Sequence, residues 1–199
     1  MIASLILAAG DSVRMGRPKA LLPVDGTTFL GRILDNYRAL GTGKIALVLG
    51  KNAPAVLAEI AAHDIEVVIN PRPEQGQLSS LLAGIGALRP HDPAGVIVHP
   101  VDHPMVGIGT LRLVVSAALL HVGKIVIPTC RGRRGHPVVF PSTLFGELAK
   151  APLSVGARAV TRSRISDIVE VRTGDEGILT NIDTQQEYAR LRRDQPRTS

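Results

Sequence analysis

Apolar runs without polar alternation recur along the chain at residues 4–9, 44–49, 65–69, 95–99 and 124–127. They are rich in Val, Ile and Leu, the pattern of strands buried on both faces. Between them, residues 28–40, 53–63, 79–88 and 108–121 carry apolar positions at helical spacing. Strand and helix therefore alternate, which predicts an α/β fold built on a doubly wound, mostly parallel sheet covered on both sides. Ligands of such sheets bind beyond the carboxyl ends of the strands. That rule puts Gly10, Asn70, Asp102 and Pro128 along one rim.

The rhythm changes after Pro128. Residues 129–135 read as a cationic loop carrying Arg131, Arg133 and Arg134, and 136–140 as a short β-like run held between prolines. Ser142 and Ser154 are expected to cap helices over 143–149 and 155–163. Residues 168–172 read as another strand and 185–193 as a last helix, capped by Asp183 or Thr184. The expectation is a single domain over 1–195 with a frayed tail at 196–199.

Composition narrows the function classes. At 199 residues and 45% apolar content, the chain suits one compact globular domain. No apolar run is long enough to span a bilayer, and no cationic segment precedes the first strand as a secretory signal would require. Cys130 is the lone cysteine, so there is no internal disulfide, which fits a cytoplasmic setting. The net charge of +6 raises the question of nucleic acid, but three Phe, two Tyr and no Trp leave few platforms for base stacking. Part of the excess sits in Arg190, Arg192, Arg193 and Arg197 of the tail. An anionic small substrate fits the charge, and neither nucleic acid nor membrane is expected as a partner.

The stretch that would bind such an anion follows the first strand. Leu5-Ile-Leu-Ala-Ala-Gly10 empties into a loop that carries Arg14 and Lys19 past Gly16, with Pro18 and Leu-Leu-Pro23 after it. Glycine removes the Cβ that would hold a phosphate off the backbone N–H groups. Arg14 offers a planar fork of donors and Lys19 a compact charge. The loop spells neither a P-loop nor a dinucleotide fingerprint. Asp102 follows the fourth strand directly, stiffened by Pro100 and Pro104, and Asp183 is the second carboxylate that could share a hard cation with it. A helix N-cap alone would also explain Asp183, and the two roles are compatible. Gly76, Ser79 and Ser80 read as a tight turn and a capped helix start whose amides face the rim. Neither His103, His136 nor Cys130 has a motif that makes it a base or nucleophile.

L-A-A-G-x-S-x-R-M-G-x-P-K followed by L-L-P resembles the signature of the MobA-like NTP transferases, and most closely their molybdenum cofactor cytidylyltransferase branch. The resemblance implies a Rossmann-like domain that binds a nucleoside triphosphate through Leu7, Ala8, Ala9, Gly10, Arg14, Lys19, Asn70, Gly76, Ser79 and Ser80. It implies catalysis by Arg14, Lys19 and Asp102, with Mg²⁺ (or Mn²⁺) held by Asp102 and Asp183. Gly135-His136-Pro137 matches a G-H-P of that branch on the acceptor side, so Arg133, Arg134 and His136 would face the acceptor. The implied reaction moves CMP from CTP to the phosphate of molybdopterin bound to molybdenum, releases pyrophosphate, and serves a client molybdenum hydroxylase. Leu-Ala-Ala-Gly favours CTP, since the guanylyl branch more often reads Leu-Ala-Gly-Gly. Two departures bear on the acceptor. Leu153-Ser154-Val155 precedes Gly156-Ala157-Arg158 where the branch often has G-D-x-G-A-R, and His103 stands where glutamine or methionine is usual. Another phosphorylated acceptor, such as a sugar phosphate, and a carrier that delivers the cofactor without chemistry are the rival readings.

Overall fold

The structure, a computed structural model, describes residues 1–10, 15–60 and 64–194. Arg14, the expected helix end at 61–63 and the tail at 196–199 lie outside them. The strands are β1 (Ile2–Ala8), β2 (Pro23–Val24), β3 (Thr27–Thr28), β4 (Ile45–Leu49), β5 (Ile65–Ile69), β6 (Gly95–Pro100), β7 (Ile125–Cys130), β8 (Arg133–Arg134), β9 (Val138–Pro141) and β10 (Ile168–Arg172). The helices are α1 (Phe29–Leu40), α2 (Ala53–Glu59), α3 (Gln77–Leu88), α4 (Ile108–Leu120), α5 (Phe145–Lys150), α6 (Arg158–Ser163) and α7 (Gln185–Asp194).

The main sheet runs β10-β7-β9-β6-β1-β4-β5, with β8 on the end of β7. Pairings β1–β4, β1–β6, β4–β5 and β7–β10 are parallel. β9 inserts antiparallel between β6 and β7, so the sheet is mostly parallel but mixed. β1 is central and fully buried along nearly all its length. From it the chain goes to β4 on one side and later to β6 on the other, and this reversal opens a crevice beyond the carboxyl ends of β1 and β6.

Alternate residues of each central strand feed two separate cores, as a pleat covered on both faces requires. Ile6, Leu47, Ile97 and Val126 pack with α1 and α4 residues such as Ile33, Leu34 and Leu111. Leu5, Val48, Val98 and Ile125 pack on the other face with Leu81, Ile85 and Leu148 of α3 and α5. α3 approaches the sheet closely at Gly84, where a Cβ would stand 2.2 Å from Leu5 Cδ1.

Several local expectations need correction. The 131–134 loop is a hairpin: Arg131 and Gly132 take φ of 51° and 74° between β7 and β8, the pairing of positive angles that a two-residue turn needs. β2 and β3 form a second small hairpin around Asp25-Gly26, which the apolar pattern is too short to reveal. Neither Ser142 nor Ser154 caps a helix. A 3₁₀ turn, Ser142–Leu144, leads into α5, and α6 starts only at Arg158 because Gly156 at φ 72° breaks the helical run. α3 begins at Gln77 after Gly76, so Ser79 and Ser80 sit inside its first turn instead of capping it.

Candidate active site at the sheet rim

The crevice beyond β1 and β6 is a cleft of about 460 Å³. Leu7, Ala8, Ala9 and Gly10 form its floor at the end of β1, and Pro100, Val101 and Asp102 its edge at the end of β6. Gly76 and Ser80 come from the start of α3, while Lys19 and Asp183 close the remaining side. Gly16 adopts φ 68°, a left-handed angle that turns the chain toward the 3₁₀ segment Lys19–Leu21.

Three charges converge here from positions remote in sequence. Lys19 Nζ makes an ion pair with Asp183 and lies 4.0 Å from Asp102 Oδ2. The backbone fixes this meeting, because Ile182 N donates to the Asp102 carbonyl at 2.9 Å. Asn181 Nδ2 donates to the second Asp183 oxygen at 2.8 Å. The capping of α7 is carried elsewhere. Thr184 Oγ1 accepts from Glu187 N at 3.2 Å, and Glu187 Oε2 accepts from Thr184 N at 2.8 Å, a reciprocal capping box. Thr184 thus takes the cap and leaves the Asp183 carboxylate to the cleft.

Asp102 is half-buried, and burial raises its pKa, opposed by Lys19 and reinforced by the nearby Asp183 charge. Its Oδ1 is buried with no hydrogen-bond partner among the described residues. An anionic oxygen buried in this way needs a cation or a donor. Two carboxylates beside a lysine suit a hard divalent ion, and Mg²⁺ or Mn²⁺ commonly takes one or two carboxylates plus phosphate oxygens and water. No cage of three or more His, Cys, Asp or Glu forms among the described residues, so the substrate would supply the rest. The residues present fit such an ion.

A second cleft of about 490 Å³ adjoins the first and shares Leu7 and Gln77 with it. Leu78, Leu81, Val98, Ile127, Val138 and Phe140 line its depth, and Leu153 and Val155 its mouth. His136, Arg134 and Arg158 are its charged or titratable members. His136 stands against His103 with ring centroids 4.8 Å apart. Burial lowers both imidazoles to about 4, helped for His136 by the neighbouring His103. Both are therefore neutral at pH 7.

Of the residues nominated from sequence, Leu7, Ala8, Ala9, Gly10, Lys19, Gly76, Ser80, Asp102 and Asp183 meet in the first cleft. Arg134 and His136 line the second, where Arg134 also pairs with Glu170 at 2.7 Å. Arg133 is exposed and lines neither cleft. Asn70 is turned inward. Its Nδ2 donates to Ser79 and Ser80 at 2.8 and 2.9 Å, and its Oδ1 accepts from Arg72 N at 3.0 Å. Asn70 and Ser79 thus shape the turn that presents Gly76 and Ser80. Asn52 and Gln77 line the first cleft without having been nominated. The rule of strand ends points to Asn52, which follows β4, and Gln77 is the first residue of α3. Arg158 of the second cleft sits in the Gly-Ala-Arg run noted above.

The model of the MobA-like NTP transferase domain matches residues 4–169. Nicotine blue oxidoreductase of Paenarthrobacter nicotinovorans is 31% identical over 197 residues, covering 96% of each chain. The crystal structure of Rv0371c from Mycobacterium tuberculosis H37Rv superposes with a TM-score of 0.82 at 33% identity, covering 96% of both chains. A manganese complex of Rv0371c superposes with a TM-score of 0.77 at 30% identity, covering 98% of this chain and 99% of that one.

Proposed function

The chain belongs to the MobA-like NTP transferase family, and from that premise we propose that it is a nucleotidyltransferase moving CMP from CTP to the phosphate of molybdopterin bound to molybdenum, with release of pyrophosphate. The observation that carries this reading is the convergence of Asp102 and Asp183 on Lys19 in the first of two adjoining clefts. In this reading the first cleft takes the nucleotide and the second the acceptor.

The chemistry asks little of the protein in proton transfer. A phosphate monoester has its second pKa near 6 and is largely a dianion at neutral pH, so it can attack the α-phosphorus without a base. His103 and His136, neutral at that pH, need not serve as one. The task is to align two anions and neutralise the charge on the departing pyrophosphate. Lys19, together with Arg14, supplies fixed positive charge. Asp102 and Asp183 would hold Mg²⁺ or Mn²⁺, which when bound neutralises charge on the phosphate oxygens. The start of α3, where Gly76, Gln77 and Ser80 line the cleft, would turn its positive end toward the nucleotide. The Ala9 methyl, where the guanylyl branch more often has glycine, would narrow the floor, since Ala9 lines the cleft. The pocket then suits a pyrimidine better than a purine.

Arg134, Arg158 and His136 would meet the acceptor near its phosphate, with Arg133 contributing charge from outside the cleft. The apolar depth of the second cleft suits a ring system better than a polyol, whose hydroxyls would lose hydrogen bonds there. This favours molybdopterin over a sugar phosphate. A cytoplasmic setting and a client molybdenum hydroxylase follow from the same reading. No helix among the described residues is long and apolar enough to cross a membrane.

One observation favours a second reading. A relative that matches nearly full length is named an oxidoreductase, and a cleft for a nucleoside triphosphate has room for part of a nicotinamide dinucleotide. A single panel separates the readings: four NTPs with molybdenum-loaded molybdopterin or a sugar phosphate, scored by pyrophosphate release, beside NADH and NADPH with dye acceptors, scored by absorbance. Pyrophosphate release with CTP and molybdopterin is expected. Dye-dependent NAD(P)H oxidation without pyrophosphate release in any arm would overturn the transferase reading.

A further inference from the structure

The reaction proposed above leaves one buried polar group on β6 unused. His99 is 1% exposed and projects to the same face as Ile97, among the apolar residues beneath α1. Tyr37 of α1, wholly buried, places its Oη 3.0 Å from His99 Nδ1, and the two rings meet edge to face at 5.7 Å. His99 Nε2 lies 2.9 Å from the backbone carbonyl of His103. A carbonyl can only accept, so Nε2 carries the proton and Nδ1 accepts from the tyrosine hydroxyl. Burial also lowers the imidazole to about 3, so it is neutral at pH 7, as this arrangement requires.

A pair of apolar side chains would fill this volume without desolvating a phenol and an imidazole. What the polar pair provides instead is a fixed hydrogen bond on the residue directly after Asp102. Backbone bonds also tie this loop: Val101 N to Leu7 O at 3.0 Å, His103 N to Pro100 O at 3.1 Å, and Ile182 N to Asp102 O at 2.9 Å. The first two hold the near side of the turn and the third ties its middle to the Asp183 segment. Among the described contacts, His99 Nε2 is what anchors the carbonyl on the far side. Without that donor, a buried carbonyl would seek another partner by rotating its peptide, and Asp102 sits one residue before it. We infer that Tyr37 and His99 are positioning residues, acting through the His103 carbonyl, that hold the Asp102 carboxylate at the angle needed to bind a divalent ion. The inference rests on the reading that Asp102 holds that ion.

The test compares four variants of the full chain, each checked for folding by circular dichroism. His99→Met fills the space but removes the donor, whereas His99→Gln retains an N–H donor. Tyr37→Phe frees Nδ1, and Asp102→Asn removes the carboxylate. Mn²⁺ affinity is read by electron paramagnetic resonance without substrate, and kcat and KM are read separately. Changes in groups that orient metal ligands typically cost about 10–100-fold in metal affinity. His99→Met should therefore weaken Mn²⁺ binding about tenfold and lower kcat, with little change in KM for CTP. His99→Gln should recover most of the affinity, and Tyr37→Phe should show a smaller loss of the same sign. If Asp102→Asn weakens Mn²⁺ binding while folded His99→Met and Tyr37→Phe keep wild-type affinity, the positioning role is overturned and the metal reading survives. Should His99→Met fail to fold, Tyr37→Phe decides alone, and wild-type affinity there has the same consequence. If Asp102→Asn itself keeps wild-type affinity, the metal reading falls and takes this inference with it.

Discussion

The two clefts have nearly equal volumes, about 460 and 490 Å³, and share Leu7 and Gln77, yet their linings differ. The first gathers Lys19, Asp102 and Asp183 at strand ends, where backbone amides and side-chain charges can both face an anion. The second lies over the face of β6, β7 and β9, and its depth is mostly apolar side chains. Its one histidine, His136, is kept neutral by burial. On the proposed function the difference separates two tasks: charge would be handled in one chamber, and shape recognised in the other. A substitution in the first should therefore act on turnover, and one in the second on the choice and affinity of the acceptor.

The largest effect should come from Lys19→Ala. Loss of one electrostatic stabiliser typically costs on the order of 10²–10³ in rate. Lys19 also offsets the two carboxylates around it, so kcat should fall by that order while the melting temperature changes little. Near wild-type turnover would show that the first cleft does not handle charge. Asp102→Asn keeps the shape and removes the charge. Turnover should drop by roughly 10²-fold, and the metal-concentration dependence should flatten. Full activity in excess chelator would remove the ion from the comparison.

In the second cleft, Leu153→Asp puts a carboxylate at the mouth, where Leu153 is already 48% exposed. Recognition by apolar contact is worth about 1–3 kcal/mol, or 10–200-fold. Acceptor KM should therefore rise by about tenfold, the low end of that range, with KM for CTP unchanged. An equal rise in both would mean that the clefts do not divide the work. Ala9→Gly should be gentler still. It enlarges the floor of the first cleft, so GTP should gain on CTP by a fewfold to about tenfold. An unchanged CTP:GTP ratio would refute the argument from pocket size.

A last effect is on stability and leaves turnover at neutral pH untouched. Burial lowers His99 to about 3, so as pH falls below the ordinary histidine value near 6.5 the unfolded chain takes up a proton that the folded chain refuses. Stability is complete above that pH and declines toward pH 3, by about 1.4 kcal/mol per pH unit for one such group. Urea midpoints of wild type and His99→Gln, measured between about pH 6 and pH 4, should show a steeper fall for wild type. Parallel curves would mean that His99 is not the buried neutral imidazole its contacts describe.

Much of this molecule was legible in the order of its residues. Unbroken Val, Ile and Leu runs can survive only where both faces of a strand are covered, so the alternation of strand and helix already implied the sheet and its rim. The runs at 65–69 and 168–172 coincide with β5 and β10 residue for residue. Asp102 stood out because it follows a buried strand by two positions, so the chain cannot carry it far from the strand's end, and Lys19 because it lies in the glycine-bearing loop after the first strand. Other features depended on partners that a one-dimensional reading does not contain. The insertion of β9 between β6 and β7 rests on non-local pairing, which no local pattern specifies. Asp183 could have been a helix cap, and only the reciprocal bonds of Thr184 and Glu187 release it to meet Lys19, 164 positions earlier. Asn70 could have faced a base, but Ser79 and Ser80 claim its donors. His99 was one more residue in a buried run until Tyr37, 62 positions away, and the His103 carbonyl fixed its tautomer. Sequence determined which segments were apolar enough to be buried and which charges lay next to them. Tertiary structure decided which polar atoms were already satisfied and which were left to face a ligand, because a hydrogen bond needs both of its partners in place.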